Sequence, residues 1–454
     1  MNCPAYSLIR CLGWLLLVLV TATFSCNRDA APESAEFRAA RELSLEWNRL
    51  LVELERNTPG YRVPVTARTF AYVSCVAWQA ALPGLDEGIS IHKYCPGYNQ
   101  PSRAPFPFYL PASLNAAYGE IMRQFFPAAP PHLQEKIQWL ESGRAEALRQ
   151  QTDPDIFRKS ANYGKRTAIA IWRWSATDSI GHNAFLYNFE RRYTPPQCPG
   201  CWQPEDSHPM PALLPHWGNM RTFLVPRGSV EVQSPVTFDE RPGSACYSEA
   251  MEVYSMSKPL SKENHWIAEL WSDDVPGFTV TPAGRWISIA NQAVEQARLP
   301  LPQMLELYLK MGMALSDAMV ICWDAKYRFN RERPEPYIRR NIRADWESLH
   351  ESPPFPAYPS GHAALGASSA VLLAGFLGET FDFTDRTHED RKEFAGKARY
   401  YRSFDEMAHE NAFSRMALGV HFRMDCEEGL RLGRIVGERA AKLAFFKGDI
   451  SMAR

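Results

Sequence analysis

Apolar residues recur at helical spacing along almost the whole chain, and two proline-rich stretches are what interrupts them. Residues 36–56 place Leu43, Trp47, Leu50, Leu51 and Leu54 on one stripe, the signature of an amphipathic helix. Residues 64–81 predict a buried helix, and 111–124, 132–150 and 154–176 predict three more. Helices are expected again at 246–271, 282–299, 302–332, 361–378, 387–396, 404–411 and 412–444. Residues 194–245 lose the periodicity and gather proline, which predicts a long surface excursion. Residues 353–359 form a second, shorter break. No fixed-period repeat is apparent. The expected fold class is mainly α, a helical bundle with long Pro-rich loops.

Composition narrows the range of functions. The 454 residues carry 50 Lys+Arg against 51 Asp+Glu, a formal charge of -1. A nucleic-acid coat draws its affinity from neutralising phosphates, so no nucleic-acid partner is expected. Hydrophobic residues at 45% are too many for a disordered chain.

Residues 1–25 read as an export signal, with Arg10 as the one charge, an apolar run from Cys11 to Val20, and small residues before Cys26. Thr23-Phe-Ser-Cys26 resembles a bacterial lipobox, although Thr23 stands where that pattern prefers Leu. Cys26 is then the lipidated N-terminus of a periplasmic or outer-membrane-anchored lipoprotein, touching membrane only through its anchor. Ordinary signal cleavage and an uncleaved anchor are the alternatives. Two further regions are expected, an N-terminal helical one at 26–245 and a C-terminal helical domain at 246–454 that carries the chemistry.

Seven cysteines follow Cys26, and Cys198-Pro-Gly-Cys201 is the obvious local pair. It lacks the second pair of a zinc ribbon, and Trp202 stands where haem attachment needs His. A local disulfide or a plain loop is expected. The remaining odd number leaves at least one cysteine free and buried.

Three short motifs hold chemistry. Lys326 and Arg333 lie seven apart, two turns of the helix expected at 302–332, with Trp323 on the same side. Two cations beside an aromatic suit an anion, although helix-end cations are commonly solvated. Pro359-Ser360-Gly361-His362 opens an apolar helix. Its free N–H groups make an anion site, unless Ser360 is only a cap. Ser414-Arg415 and His421 precede Asp425, which is expected one helical turn from His421 and on the same face. A carboxylate on one ring nitrogen leaves the other a better nucleophile or ligand, unless the two form an ordinary surface pair. Together the motifs suit a tetrahedral oxyanion. His92, His132, His182, His208, His216, His265, His350, His388 and His409 show no HExxH or comparable spacing.

In order and spacing these motifs resemble the type 2 phosphatidic-acid phosphatase / vanadium haloperoxidase superfamily. Cys322-Trp-Asp-Ala-Lys326, Pro354 to His362, Ser414 to His421, Leu213 to Gly218 and Pro64 to Arg68 are similar to its vanadium-dependent haloperoxidase branch. The resemblance implies that Lys326, Arg333, Arg415, Ser360 and the Gly361 amide bind the oxygens of vanadate or phosphate. It implies that His421 is the vanadium ligand, or the phosphorylated nucleophile. His362 becomes the acid–base group, Asp425 orients His421, and Trp323 and Phe355 match halide-pocket positions. Hydrogen peroxide and halide are then the substrates, with vanadate as cofactor. The alternative is a soluble acid phosphatase-type enzyme that acts on a phosphomonoester with no cofactor. A non-catalytic anion-binding lipoprotein is the third reading. The oligomeric state is not legible.

Overall fold

A computed structural model describes residues 33–101, 103–178, 180–204, 210–257, 260–273, 275 and 277–447. The expected export signal and Cys26 lie outside the described residues. Met1–Ser34 separates as one unit, and Ala35–Arg454 form a second, compact one.

Thirteen α-helices lie among the described residues. They are α1 (Ala35–Asn57), α2 (Val63–Ala81), α3 (Leu110–Phe125), α4 (Pro131–Arg149), α5 (Pro154–Ala176), α6 (Ala245–Ser257), α7 (Lys262–Leu270), α8 (Pro282–Ala297), α9 (Leu301–Phe329), α10 (Pro334–Asn341), α11 (Gly361–Leu377), α12 (Phe404–Leu418) and α13 (Arg423–Ala441). Two small antiparallel sheets complete the set. β1 (Phe189–Glu190) pairs with β2 (Ala212–Leu213), and β3 (Phe383–Asp385) pairs with β4 (Arg399–Tyr401). The fold is mainly α, as the periodicity predicts. None of the helices is long and apolar enough to cross a membrane, among the described residues.

The core runs through the whole compact unit, from Ala40 to Phe446 and across residues 245–246. α2 and α9 are buried on nearly every face, as expected of helices that are apolar all round. They cross closely at Gly312, where a Cβ would stand 2.9 Å from Ala71 Cα. Among its described residues, the excursion expected at 194–245 carries β2 and a single 3-10 turn before α6. Asp317 on α9 ties it down by accepting N–H bonds from Phe223, Leu224 and Val225 at 2.8, 2.7 and 2.9 Å. Burial pushes the Asp317 carboxyl up to about 7, against the pull of those bonds.

One packing feature positions the site. α13 presents Gly429, Gly433 and Gly437 to α11, one turn apart. A Cβ on Gly433 would stand 2.2 Å from Ala364 O, so a side chain there would push the helices apart. This crossing brings the first turns of α11 and α13 together, and Ser360 N–H donates to Asp425 O at 2.8 Å.

Several expected helices are corrected. The stretch 246–271 is two helices: α6 ends at Ser257, and Ser261 caps α7 by accepting Asn264 N–H at 3.0 Å. Residues 387–396 form turns. Asp385 captures Thr387 N–H and Oγ1–H at 2.9 and 2.7 Å, offering the backbone a local alternative to helix. The break expected at 411–412 lies instead at Gly419, whose φ of +87° ends α12 in a left-handed cap.

Candidate functional site

The first motif bends where the sequence predicts a straight helix. α9 stops at Phe329, Asn330 takes a left-handed cap at φ +47°, and Arg333 is the N-cap of α10. Lys326 and Arg333 therefore do not share a helix face. A three-residue link turns Arg333 back toward α13. Its guanidinium donates to Phe355 O at 3.2 and 3.0 Å, to Val420 O at 2.8 Å, and faces His421 Nε2 at 3.1 Å. Lys326 is fully buried, and its ammonium donates to the carbonyls of Pro356, Ala357 and Pro359 at 3.0, 2.8 and 2.7 Å. It holds the 356–359 loop and does not line the cavity described below.

The second motif opens α11 as the sequence predicts. Ser360 is the N-cap and accepts Ala363 N–H at 3.4 Å. The Gly361 and His362 amides sit at the first two helical positions, where no intrahelical acceptor exists. Asn411 of α12 fixes this turn by donating to His362 O at 3.1 Å. The His362 ring nitrogen Nε2 is buried and has no hydrogen-bond partner among the described residues.

The third motif departs from one helix face in the same way. Arg415 lies in the last turn of α12, His421 lies in the link after Gly419, and Asp425 is in the first turn of α13. The pairing expected of His421 and Asp425 still forms, with Nδ1 2.8 Å from Oδ2. The same carboxylate oxygen accepts the Phe422 N–H at 3.1 Å, which anchors the turn that carries His421. With Nδ1–H donated to Asp425, the Nε2 lone pair faces Arg333.

These groups meet around one cavity of about 370 Å³. Arg333, Arg415, Gly361, His362 and His421 line it, and so do Trp323 and Phe355. The two rings lie 5.0 Å apart, and Arg333 sits 4.9 Å from the centre of Phe355. Arg415 is turned into place by donating to Trp271 O at 2.8 Å.

Lys326, Arg333 and Arg415 all act on the two histidines, and Asp425 is the carboxylate in contact with His421. Burial, then Arg415, Lys326 and Arg333, hold His362 well below its ordinary 6.5. Burial and the same three cations hold His421 down as well, with Arg333 foremost among them. Burial lowers Lys326 to about 7 and Arg333 to about 9. Burial also raises Asp425, to about 7, against the pull of Lys326. An anion in the cavity reverses the penalty on every cation at once. The donors fit an oxyanion: guanidinium N–H groups, two free amides, an unpartnered His362 nitrogen and an oriented His421 lone pair. Among the described residues, no three His, Cys, Asp or Glu side chains gather as ligands for a metal cation.

Comparison with known proteins points the same way. Residues 340–447 match the VCPO second helical-bundle domain. The vanadium chloroperoxidase of Curvularia inaequalis is 27% identical over 185 residues, 30% of this chain and 30% of that protein. The vanadium-dependent bromoperoxidase of Ascophyllum nodosum is 31% identical over 97 residues, 19% of this chain and 17% of that protein. A crystal structure described as the first bacterial vanadium-dependent iodoperoxidase aligns with TM-score 0.78 and 26% identity, covering 89% of this chain and 97% of that one. Together these findings support a vanadium haloperoxidase-like family. A holo-type bacterial vanadium-dependent chloroperoxidase shares the fold, with TM-score 0.64 at 16% identity over 84% of this chain and 92% of that one. The matched segments span less than a third of the two curated relatives.

The cavity has walls that the motifs do not reveal. Val63, Ser272, Asp273, His350 and Glu351 also line it. His350 shows no ligand spacing in the sequence, yet its Nε2 lies 3.0 Å from Glu269 Oε1 at the cavity edge. His388 shows none either, yet it is buried against Asp273 at 2.8 Å. Neither pairing has a sequence signal, because each partner lies more than 80 residues away.

Proposed function

We propose that this cavity holds vanadate and that the chain uses hydrogen peroxide to oxidise a halide to a hypohalous species. The observation that carries this reading is a buried cavity lined by Arg333, Arg415, His362 and His421, in which His362 Nε2 has no partner and Arg333 meets no carboxylate among the described residues. Arg333, Arg415 and the Gly361 and His362 amides would hold the vanadate oxygens, and His421 Nε2 would hold its central atom. Vanadate, when bound, supplies a Lewis-acidic centre that activates peroxide toward the halide. Asp425 keeps the His421 proton on Nδ1, which leaves Nε2 available. His362, kept neutral by burial and by its cationic neighbours, takes a proton at Nε2 and returns it during turnover. Lys326 fixes the 356–359 loop and adds its field. Trp323 and Phe355 give the halide a weakly hydrated approach.

A phosphomonoester meets the same donors, and the oriented His421 nitrogen suits attack on phosphorus. In that reading His421 displaces the alcohol, His362 protonates it, and water then hydrolyses the phosphohistidine. The discriminating assay uses the chain from residue 27 onward. Peroxide-dependent halogenation of a dye is measured with orthovanadate and iodide, bromide or chloride, beside phosphomonoester hydrolysis without vanadate. Vanadate-dependent halogenation lost in His421→Ala is expected. Hydrolysis lost in that variant, with no halogenation, moves the assignment to the phosphatase. We further place the enzyme at the periplasm or outer membrane on the strength of residues 1–26. Labelling by a radioactive fatty acid that is lost in Cys26→Ala checks this.

A further inference from the structure

The Cys198-Pro-Gly-Cys201 motif has no part in the chemistry above, yet it grips the segment that carries Arg333. Cys198 and Cys201 are disulfide-bonded. Cys201 bridges Arg331 in an antiparallel sense. Trp202 N–H donates to Asn330 O at 2.7 Å, Asn330 Nδ2 donates to Trp202 O at 3.3 Å, and Glu332 N–H donates to Gly200 O at 3.0 Å. On its other side the same link is held by Ala357 N–H, which donates to Arg331 O at 2.9 Å. The three residues between α9 and Arg333 are thus clamped between the disulfide loop and the loop that Lys326 fixes. Gly200 has φ +73°, and the Phe238 ring lies where a Cβ would sit, 2.2 Å away. Phe238 also lies 5.6 Å beneath the Arg331 guanidinium, so the turn, the ring and the link pack as one block.

A bridge only three positions long restricts the unfolded chain little, so global stability is a poor account of it. Its effect is local. It fixes the tight turn that presents Gly200 O and Trp202 N–H to residues 330–332. The five other described cysteines are all free and buried, whereas Cys198 is exposed and within reach of a solution thiol.

We propose that the Cys198–Cys201 disulfide is a positioning element for Arg333, and through it for the oxyanion; this rests on the oxyanion reading of the cavity. Dithiothreitol passes two electrons and two protons to the bond, giving two thiols and its own cyclic disulfide. The turn then relaxes, residues 330–332 lose two backbone partners, and Arg333 is less well placed.

The test uses the chain from residue 27 onward, oxidised and reduced, with alkylation and mass spectrometry confirming that only Cys198 and Cys201 react. Two quantities are read: amide hydrogen exchange at 330–333 without ligand, and orthovanadate affinity by calorimetry. Expected are exchange that is faster by about tenfold or more, and a vanadate Kd raised by about tenfold or more on reduction, the loss of one charge-assisted bond. Reoxidation restores both, while Tm moves by only a few degrees, roughly. The Cys198→Ser/Cys201→Ser variant behaves as the reduced chain does. Unchanged exchange overturns the clamp and leaves the oxyanion reading standing. Faster exchange with unchanged affinity overturns it too. Oxidised chain that binds no vanadate removes the oxyanion reading and the clamp's role together.

Discussion

Two buried charge clusters lie side by side in this fold, and they are solved in opposite ways. Around Arg285, Asp385 sits 2.5 Å from Nη2, Asp273 sits 3.7 Å from Nη1, and His388 pairs with Asp273 at 2.8 Å. Burial pulls the Arg285 guanidinium down, but Asp385 and Asp273 more than offset it and leave it raised. Asp385 is correspondingly lowered: burial raises it, and Arg285 and the Thr387 bonds outweigh that. Around Arg333 the balance is reversed. Among the described residues no carboxylate contacts Arg333 or Lys326, Arg333 is lowered, and Asp425 is raised. The first cluster closes its own charge and is structural. The second is the one that an added anion would complete. The two meet at residues 271–273, where Arg285 stacks on Trp271 at 4.6 Å while Arg415 donates to the Trp271 carbonyl. The clusters thus touch the same residue by different parts, the ring on one side and the carbonyl on the other.

The difference is open to attack from both sides. His421→Ala is expected to cut vanadate-dependent halide oxidation by about a thousandfold or more, with an unchanged urea midpoint. Arg285→Met is expected to cost about 3–5 kcal/mol of stability, read as a fall in that midpoint, because it strands two buried carboxylates. Its vanadate affinity in the folded state stays within a few-fold, roughly. A large affinity loss in that variant at full folding would erase the distinction between the clusters. Asp425→Asn, which frees the His421 tautomer, is expected to weaken vanadate by about 10–100-fold.

Burial lowers His388 in the closed cluster as well, so it is the response to an anion, more than the pH dependence itself, that separates the clusters. His362 and His421 sit well below 6.5 when folded, so the unfolded chain protonates first as pH falls. Their contribution is intact above 6.5 and is lost progressively below it. Bound oxyanion raises both histidines, so Tm measured in phosphate or vanadate is expected to fall less steeply below that pH than Tm measured without it. Parallel curves with and without the anion would count against a histidine-lined anion site. The smallest effect is expected from Phe355→Leu, which removes a ring beneath Arg333 but keeps the carbonyl that Arg333 uses. Affinity should change by about fivefold or less, measured by calorimetry.

Much of this was legible in the sequence, because helical rhythm and helix-opening residues are local signals. α1 to α5, α8 and α11 fall within a residue or two of their expected bounds, α9 stops three residues short of its expected end, and Ser360 caps α11. The motif residues do converge, although two of the three spacings do so by another geometry. Lys326 and Arg333, like His421 and Asp425, look like neighbours on one face. In the fold a left-handed Asn330 and a left-handed Gly419 end the helix first, and each link turns its side chain into the cavity. The φ of Gly419 makes it a stop, which its identity as glycine permits. The Asp273–His388 pair and the 200–202 grip on 330–332 had no local signal, since each depends on partners more than 100 residues apart.

The central claim is that buried Arg333, beside His362 and His421, makes this cavity an oxyanion site. Calorimetric titration of orthovanadate into the chain from residue 27 onward tests it most directly, beside Arg333→Ala shown by circular dichroism to be folded. One binding site per chain, with proton uptake below neutral pH and no measurable binding in the variant, is the predicted result. Equal binding by both proteins, or none by the parent chain, would contradict it.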